Sequence, residues 1–163
     1  MKKTSLVLFI IFLSIEGFSQ FKVGKTQQEV KSDQAKVTPV LIGSKRVALT
    51  LSFGLYHIDA DNSEYLGYHS NINSFEKIEF ASAQEELDFY NYVLSLYDNF
   101  KDNELTLNKI KIVPSRNNLL GANNLVFDIY PEPNNKSYKY TTEMIGRKAW
   151  IKLFEKSRIH SLK

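Results

Sequence analysis

The chain carries three histidines, His57, His69 and His160, and carboxylates crowd the stretch between the first two. His57 and His69 flank a segment that reads as a hairpin. Across it they can face each other, with Asp59 and Asp61 nearby. Imidazole and carboxylate together hold zinc or carry out acid–base chemistry, so His57, Asp59 and His69 form the candidate metal set. Turn chemistry competes with this reading, because Asp, Asn and Ser gather at turns for their local hydrogen bonds. It accounts for every residue there except the histidines, and the spacing matches no named ligand pattern. Asp59-Ala60-Asp61-Asn62-Ser63 opens like a calcium loop. It fails where Glu64 replaces the required glycine and again where Ser70 replaces the bidentate glutamate.

Other chemistries lack their signatures. The sequence has no Gly-x-Ser-x-Gly elbow, no Ser-x-x-Lys at a helix start, no His-Glu-x-x-His and no clustered glycines to cradle phosphate. With no cysteine, thiolate catalysis and cysteine-ligated metals are excluded. Paired carboxylates for glycoside cleavage need only meet in space. Glu85 and Glu86 are adjacent, but helix capping explains Glu85, and Glu86 falls at the rim of an apolar helix half. Trp150 and Phe154 read as core. No catalytic residue and no cofactor is called for.

One sheet face offers a second candidate. From Val47 to Tyr56, Val47, Leu49, Leu51, Phe53 and Leu55 alternate with Ala48, Thr50, Ser52, Gly54 and Tyr56. The first set is bulky and expects helices above it. The second is small and nearly flat until Tyr56. Thr50, Ser52, Gly54 and Tyr56 are therefore the candidate binding residues, with room for a ligand, a partner protein or the preceding polar arm. An ordinary solvent-facing sheet surface has the same composition.

The elements that would position these residues follow from periodicity and turn signals. Arg46–Ile58 reads as one strand, Glu64–His69 as its hairpin partner, and Phe75–Phe80 as a third strand. Ser82-Ala83-Gln84-Glu85 fits a capping box, and Leu87, Phe89, Tyr90, Val93, Leu94, Leu96, Tyr97 and Phe100 cover one half of the helix it opens. Glu104–Val113 reads as a strand with a bulge or tight turn at Asn108-Lys109, where the apolar phase slips. A loop over Pro114–Asn124, a strand around Leu125–Tyr130, a turn from Pro131 and a short strand over Ser137–Tyr140 follow. Thr142 can cap a last helix running to about Ser157. The expectation is an α+β domain of order βββα-βββα, possessing a mainly antiparallel sheet with two helices on one face and two similar halves.

Residues 1–19 read as a cleavable secretory signal peptide: Lys2 and Lys3, an apolar run over Leu6–Ile15, and small residues at Gly17 and Ser19. The run is too short for a bilayer core, which needs about 20 residues. The Met-Lys-Lys start, the Leu/Ile/Phe core and the Ser-Gln junction resemble bacterial precursors over those first 20 residues. The resemblance implies a periplasmic or secreted protein. Residues 20–36 read as a polar arm, with a short strand at Phe21–Val23, and residues 37–163 as one domain.

Cleavage leaves about 144 residues and lowers the formal charge from +3 to +2. Charges of both signs interleave, with no basic block to track a phosphate backbone, so nucleic acid is not an expected partner. No second apolar run approaches membrane length. These readings lead first to an exported, non-enzymatic binding or protein-interaction domain, taking an unidentified protein or small ligand. The alternatives are a small metal-assisted or carboxylate hydrolase centred on His57, Asp59 and His69, and an inhibitor or immunity-type protein.

Overall fold

The computed structural model describes residues 27–119, 121–135 and 137–162. The expected signal peptide and the strand at Phe21–Val23 lie outside them. The chain divides between Gln34 and Ala35. Helix α1 (Gln27–Val37) occupies most of the stretch read as an arm. At its end the Lys36 carbonyl accepts from the Ala60 amide at 2.9 Å.

Strands β1 (Val40–Val47), β2 (Thr50–Ile58), β3 (Ser63–His69) and β4 (Phe75–Glu79) form an antiparallel four-stranded meander. Helix α2 (Ala83–Asp98) follows. A second antiparallel sheet holds β5 (Leu105–Leu107), β6 (Ile110–Leu119), β7 (Ala122–Tyr130) and β8 (Tyr140–Thr141), with β9 (Ile145–Gly146) also on β7. Helix α3 (Arg147–Leu153) and a 3-10 turn (Arg158–Leu162) come last. The class is α+β, and a run of strands followed by a helix occurs twice. There are two sheets instead of one, and each run is longer than the sequence suggested.

The first difference arises at Ala48-Leu49. Val47 pairs with Thr50, so these two residues are a tight turn, with Ala48 at φ 52°. What reads as one long strand is the tip of a hairpin, and Leu49 is 92% exposed instead of buried under a helix. Farther along β2 the expected pattern holds: Phe53 and Leu55 are buried. The second difference is β6, which continues through Pro114. The Phe127 amide donates to Thr142 Oγ1 at 3.0 Å and its carbonyl accepts from the Thr142 amide at 2.9 Å. Both polar groups of Phe127 thus point away from its partner Pro114, and a proline facing the open side of a strand forfeits no ladder bond.

Thr142 accordingly does not cap a helix. It holds β7, and α3 begins later, at Gly146, without a side-chain cap.

Helix α2 starts as its sequence dictates. Ser82 Oγ accepts from the Glu85 amide at 3.1 Å, and Glu85 Oε2 reaches back to the Ala81 amide at 2.5 Å. Phe89, Tyr90, Val93, Leu96 and Tyr97 are buried on its inner half. Trp150 of α3 sits among them, 5.7 Å from the Phe89 ring, 4.7 Å from Phe154 and 6.4 Å from Phe127. Its indole N–H donates to the Tyr90 carbonyl at 3.3 Å. The two sheets are stitched by the Ser70–Thr142 bridge, and Asn71 exchanges bonds with the Thr141 backbone.

The phase slip at Asn108-Lys109 is a two-residue turn joining Leu107 to Ile110. Both residues have positive φ, 44° and 69°, the geometry for which hairpins select Asn-Gly. Lys109→Gly should raise stability by about 0.5–1 kcal/mol, because the lysine Cβ opposes this conformation. Denaturant melts that show no gain would contradict the strain assigned to Lys109.

Candidate functional site

Strand alternation divides the first sheet into two faces. Phe53, Leu55, Leu66, Tyr68 and Ile78 point into the core. Thr50, Ser52, Gly54 and Tyr56 all fall on the outer face, as their spacing requires. Cross-strand register puts Gly54 beside Gly67 and Tyr56 beside Tyr65, with Lys77 and Phe75 beyond them on β4.

The small residues make space for the chain's own rings. A Cβ on Gly54 would lie 2.8 Å from Tyr56 Cε2 and 2.9 Å from Leu41 Cδ1, and one on Gly67 would run into the Phe75 ring. Lacking side chains, the glycine pair lets Tyr56 and Phe75 lie down on the backbone. Tyr56 and Tyr65 stack at 4.9 Å with planes 11° apart. Phe75 meets Tyr56 edge-on at 6.0 Å and His69 at 5.3 Å. The Lys77 ammonium stands 5.7 Å over the Tyr65 ring and pairs with Glu79.

The result is a low aromatic platform with a charged margin. Phe75 is 43% exposed, and Leu41 is also exposed. Desolvation raises the Tyr56 and Tyr65 hydroxyls above their ordinary titration range, so both are neutral hydrogen-bonding groups at physiological pH. A groove of about 430 Å³ continues past Tyr65, between Pro39, Ile58, Phe80 and the Lys77–Glu79 pair. Of the four residues singled out from sequence, Tyr56 belongs to this surface and Gly54 supports it. Thr50 is exposed near the hairpin tip. Ser52, 1% exposed, is too deep to line a surface.

The candidate metal set does not assemble. His57 Nε2 lies 3.2 Å from Asp59 Oδ1. His69 is at the far end of β3, five residues beyond the register partner of His57, and on the opposite face. That separation is about 17 Å along the strand. Among the described residues no three potential metal ligands come together. His69 packs on Phe75, and its buried Nδ1 has no hydrogen-bond partner among the described residues.

His57 instead joins a buried polar group that the sequence did not reveal. Glu64 is 3% exposed and Glu86 is 0% exposed. Glu64 Oε1 lies 3.2 Å from His57 Nδ1 and accepts from the Arg158 amide at 3.1 Å. Glu86 Oε1 accepts from Ser157 Oγ at 2.5 Å, and Glu86 Oε2 from Arg158 Nε at 3.0 Å. The Arg158 guanidinium also binds the Asn62 carbonyl. Glu86 sits in α2 on the apolar half, one turn from Tyr90 and Phe89. That position was the one signal available in the sequence.

No family model matches the chain, and no curated protein or solved structure is detectably similar to it.

Proposed function

We propose that the protein is an exported, non-enzymatic interaction module whose recognition surface is the outer face of the first sheet. The observation that carries this reading is the platform of Tyr56, Tyr65 and Phe75 laid over the Gly54–Gly67 pair. Small-molecule sites are concave and enclose their ligand. This face is low and open, with rigid aromatic anchors at its centre and ionic groups at its margin. Such anatomy fits a protein partner, since aromatic residues carry most of the binding energy at interface centres and charged rims carry little. Among the described residues, no helix is long and apolar enough to cross a membrane.

The reading predicts that Phe75→Ser leaves the domain folded, at a cost of about 1–2 kcal/mol for the packing of its ring on Gly67, Tyr56 and His69, yet removes partner capture. A photo-crosslinking side chain at position 75 should give a discrete adduct in the native host, abolished by Tyr65→Ala. The same probe at the exposed Ile151, on α3, should give none. Identical adducts from both positions, or none from position 75, would refute the surface. Export is tested separately: sequencing the secreted form should find Gln20 at its amino terminus.

A further inference from the structure

The buried group around Glu64 and Glu86 is incomplete as a set of ionised side chains. Two carboxylates are buried in the same site with one guanidinium, which pairs with Glu86 alone. Glu64 Oε1 has two donors, but Glu64 Oε2 is buried with no partner among the described residues, as is Arg158 Nη2. An orphaned buried carboxylate oxygen costs the full desolvation of that atom. Arg158 binds both carboxyl groups, Glu64 through its main-chain amide and Glu86 through Nε, which brings them close enough for a proton on Glu86 to serve the orphaned oxygen.

We propose that Glu64 and Glu86 share one proton, and that this proton latches the Arg158–Leu162 turn onto β3 and α2. With it, the group holds one anion and one cation, and the orphaned acceptor is satisfied. Without it, two anions are buried beside one cation, and release of the turn readmits the water they lack, so the turn loosens while the sheets stay folded. The turn is the movable element because its polar contacts with β3 and α2 run through this group. Ser157 Oγ bonds Glu86 and accepts from the Ile159 amide at 3.1 Å, and the Arg158 backbone and side chain bond Glu64 and Glu86. Ile159, fully buried, would be uncovered on release.

Burial is the main cause that pushes Glu86 up, to about 7 from an ordinary 4.5; the Glu64 carboxyl adds to it, while Ser157 and Arg158 oppose it. An acid whose native pKa is raised stabilises the latched form below its ordinary pKa, and that contribution disappears as pH climbs through the raised value. The latch therefore opens between roughly pH 5 and 8. The other titratable groups facing it are His57, Asp59 and Asp61 on the β2–β3 hairpin, and Arg158 itself. Both His57 nitrogens lie 3.2 Å from carboxylate oxygens, so His57→Gln is the control variant.

Hydrogen exchange of the Ser157–Ser161 amides tests the proposal, measured on the purified protein at pH 5.5 and 8.5. An unstructured peptide of the same sequence supplies the intrinsic rates. Protection should fall at least tenfold at the higher pH, while the β2 and β7 amides stay protected. Glu86→Gln should reduce the pH difference to less than twofold, and His57→Gln should keep it. Should Glu86→Gln not fold, Glu64→Gln serves: its amide can donate to Glu86, and the turn should remain protected at pH 8.5. Equal protection at both pH values in the parent protein overturns the proposal. So does a full pH effect in Glu86→Gln or Glu64→Gln, or its disappearance in His57→Gln.

Discussion

Trp150→Ala costs about 3–5 kcal/mol, the range for deleting a large buried aromatic, and leaves the domain close to its unfolding limit under ordinary conditions. Trp150 is wholly buried and touches rings from three elements: Phe89 and Tyr90 of α2, Phe127 of β7, and Phe154 just beyond α3. No neighbour can fill the space, because each is fixed elsewhere. Tyr90 and Phe154 already pack on each other at 5.3 Å, and Phe127 is held at its backbone by Thr142. Truncation also strips the Tyr90 carbonyl of the indole donor. Urea denaturation should show a midpoint collapse with broadened near-ultraviolet signal. Trp150→Phe, which refills much of the volume, should recover over half of the loss. An alanine variant within about 1 kcal/mol of the parent would mean that the indole is not the centre of the core.

Arg158→Met should cost about 3 kcal/mol at pH 5.5, where the turn is latched, because removing one partner of a buried ionic group strands the others. Methionine keeps the apolar stem and deletes the donors to Glu86 and to the Asn62 carbonyl. The penalty should shrink toward pH 8.5, where the proposed latch is open and Arg158 has left the group. The same variant combined with Glu86→Leu should be more stable than Arg158→Met alone, since it removes the stranded charge. Chemical denaturation at the two pH values measures both effects. A pH-independent loss would show that Arg158 acts through packing alone.

The features recoverable from the sequence were those governed by neighbours along the chain. Ser82 and Glu85 announce the start of α2 because capping is a four-residue event, and the apolar slip at Asn108-Lys109 marks a turn because side-chain phase is local. The outer-face residues of β2 were correctly grouped for the same reason. Their meaning was not recoverable: Phe75, which fills the space over Gly67, comes from another strand. Ala48-Leu49 was missed because neither residue advertises a turn. With no glycine, asparagine or proline there, the alternation of Val47, Leu49 and Leu51 runs unbroken through a reversal. The loop expected from Pro114 is strand instead, because the proline nitrogen faces the side of β6 that β7 does not occupy. The Glu64–Glu86–Arg158 group was legible only in Glu86, which stands on the apolar half of α2; nothing in spacing pairs it with Glu64 or Arg158. Its members are distant in sequence and meet only after both sheets and α2 are in place.

That distance has a temporal side. Arg158 is synthesised 94 residues after Glu64 and 72 after Glu86, a lag of several seconds at roughly 5–20 residues per second. Throughout it both glutamates lack their counter-ion and remain hydrated, which keeps the inner flank of α2 wet and the nascent chain pliant. The hairpins of the β-meander are adjacent in sequence, yet Glu64 ties β3 to the same late residue. Maturation of the proposed secreted form would then proceed from a persistently threadable intermediate, sealed only when a late-arriving guanidinium drives out the water.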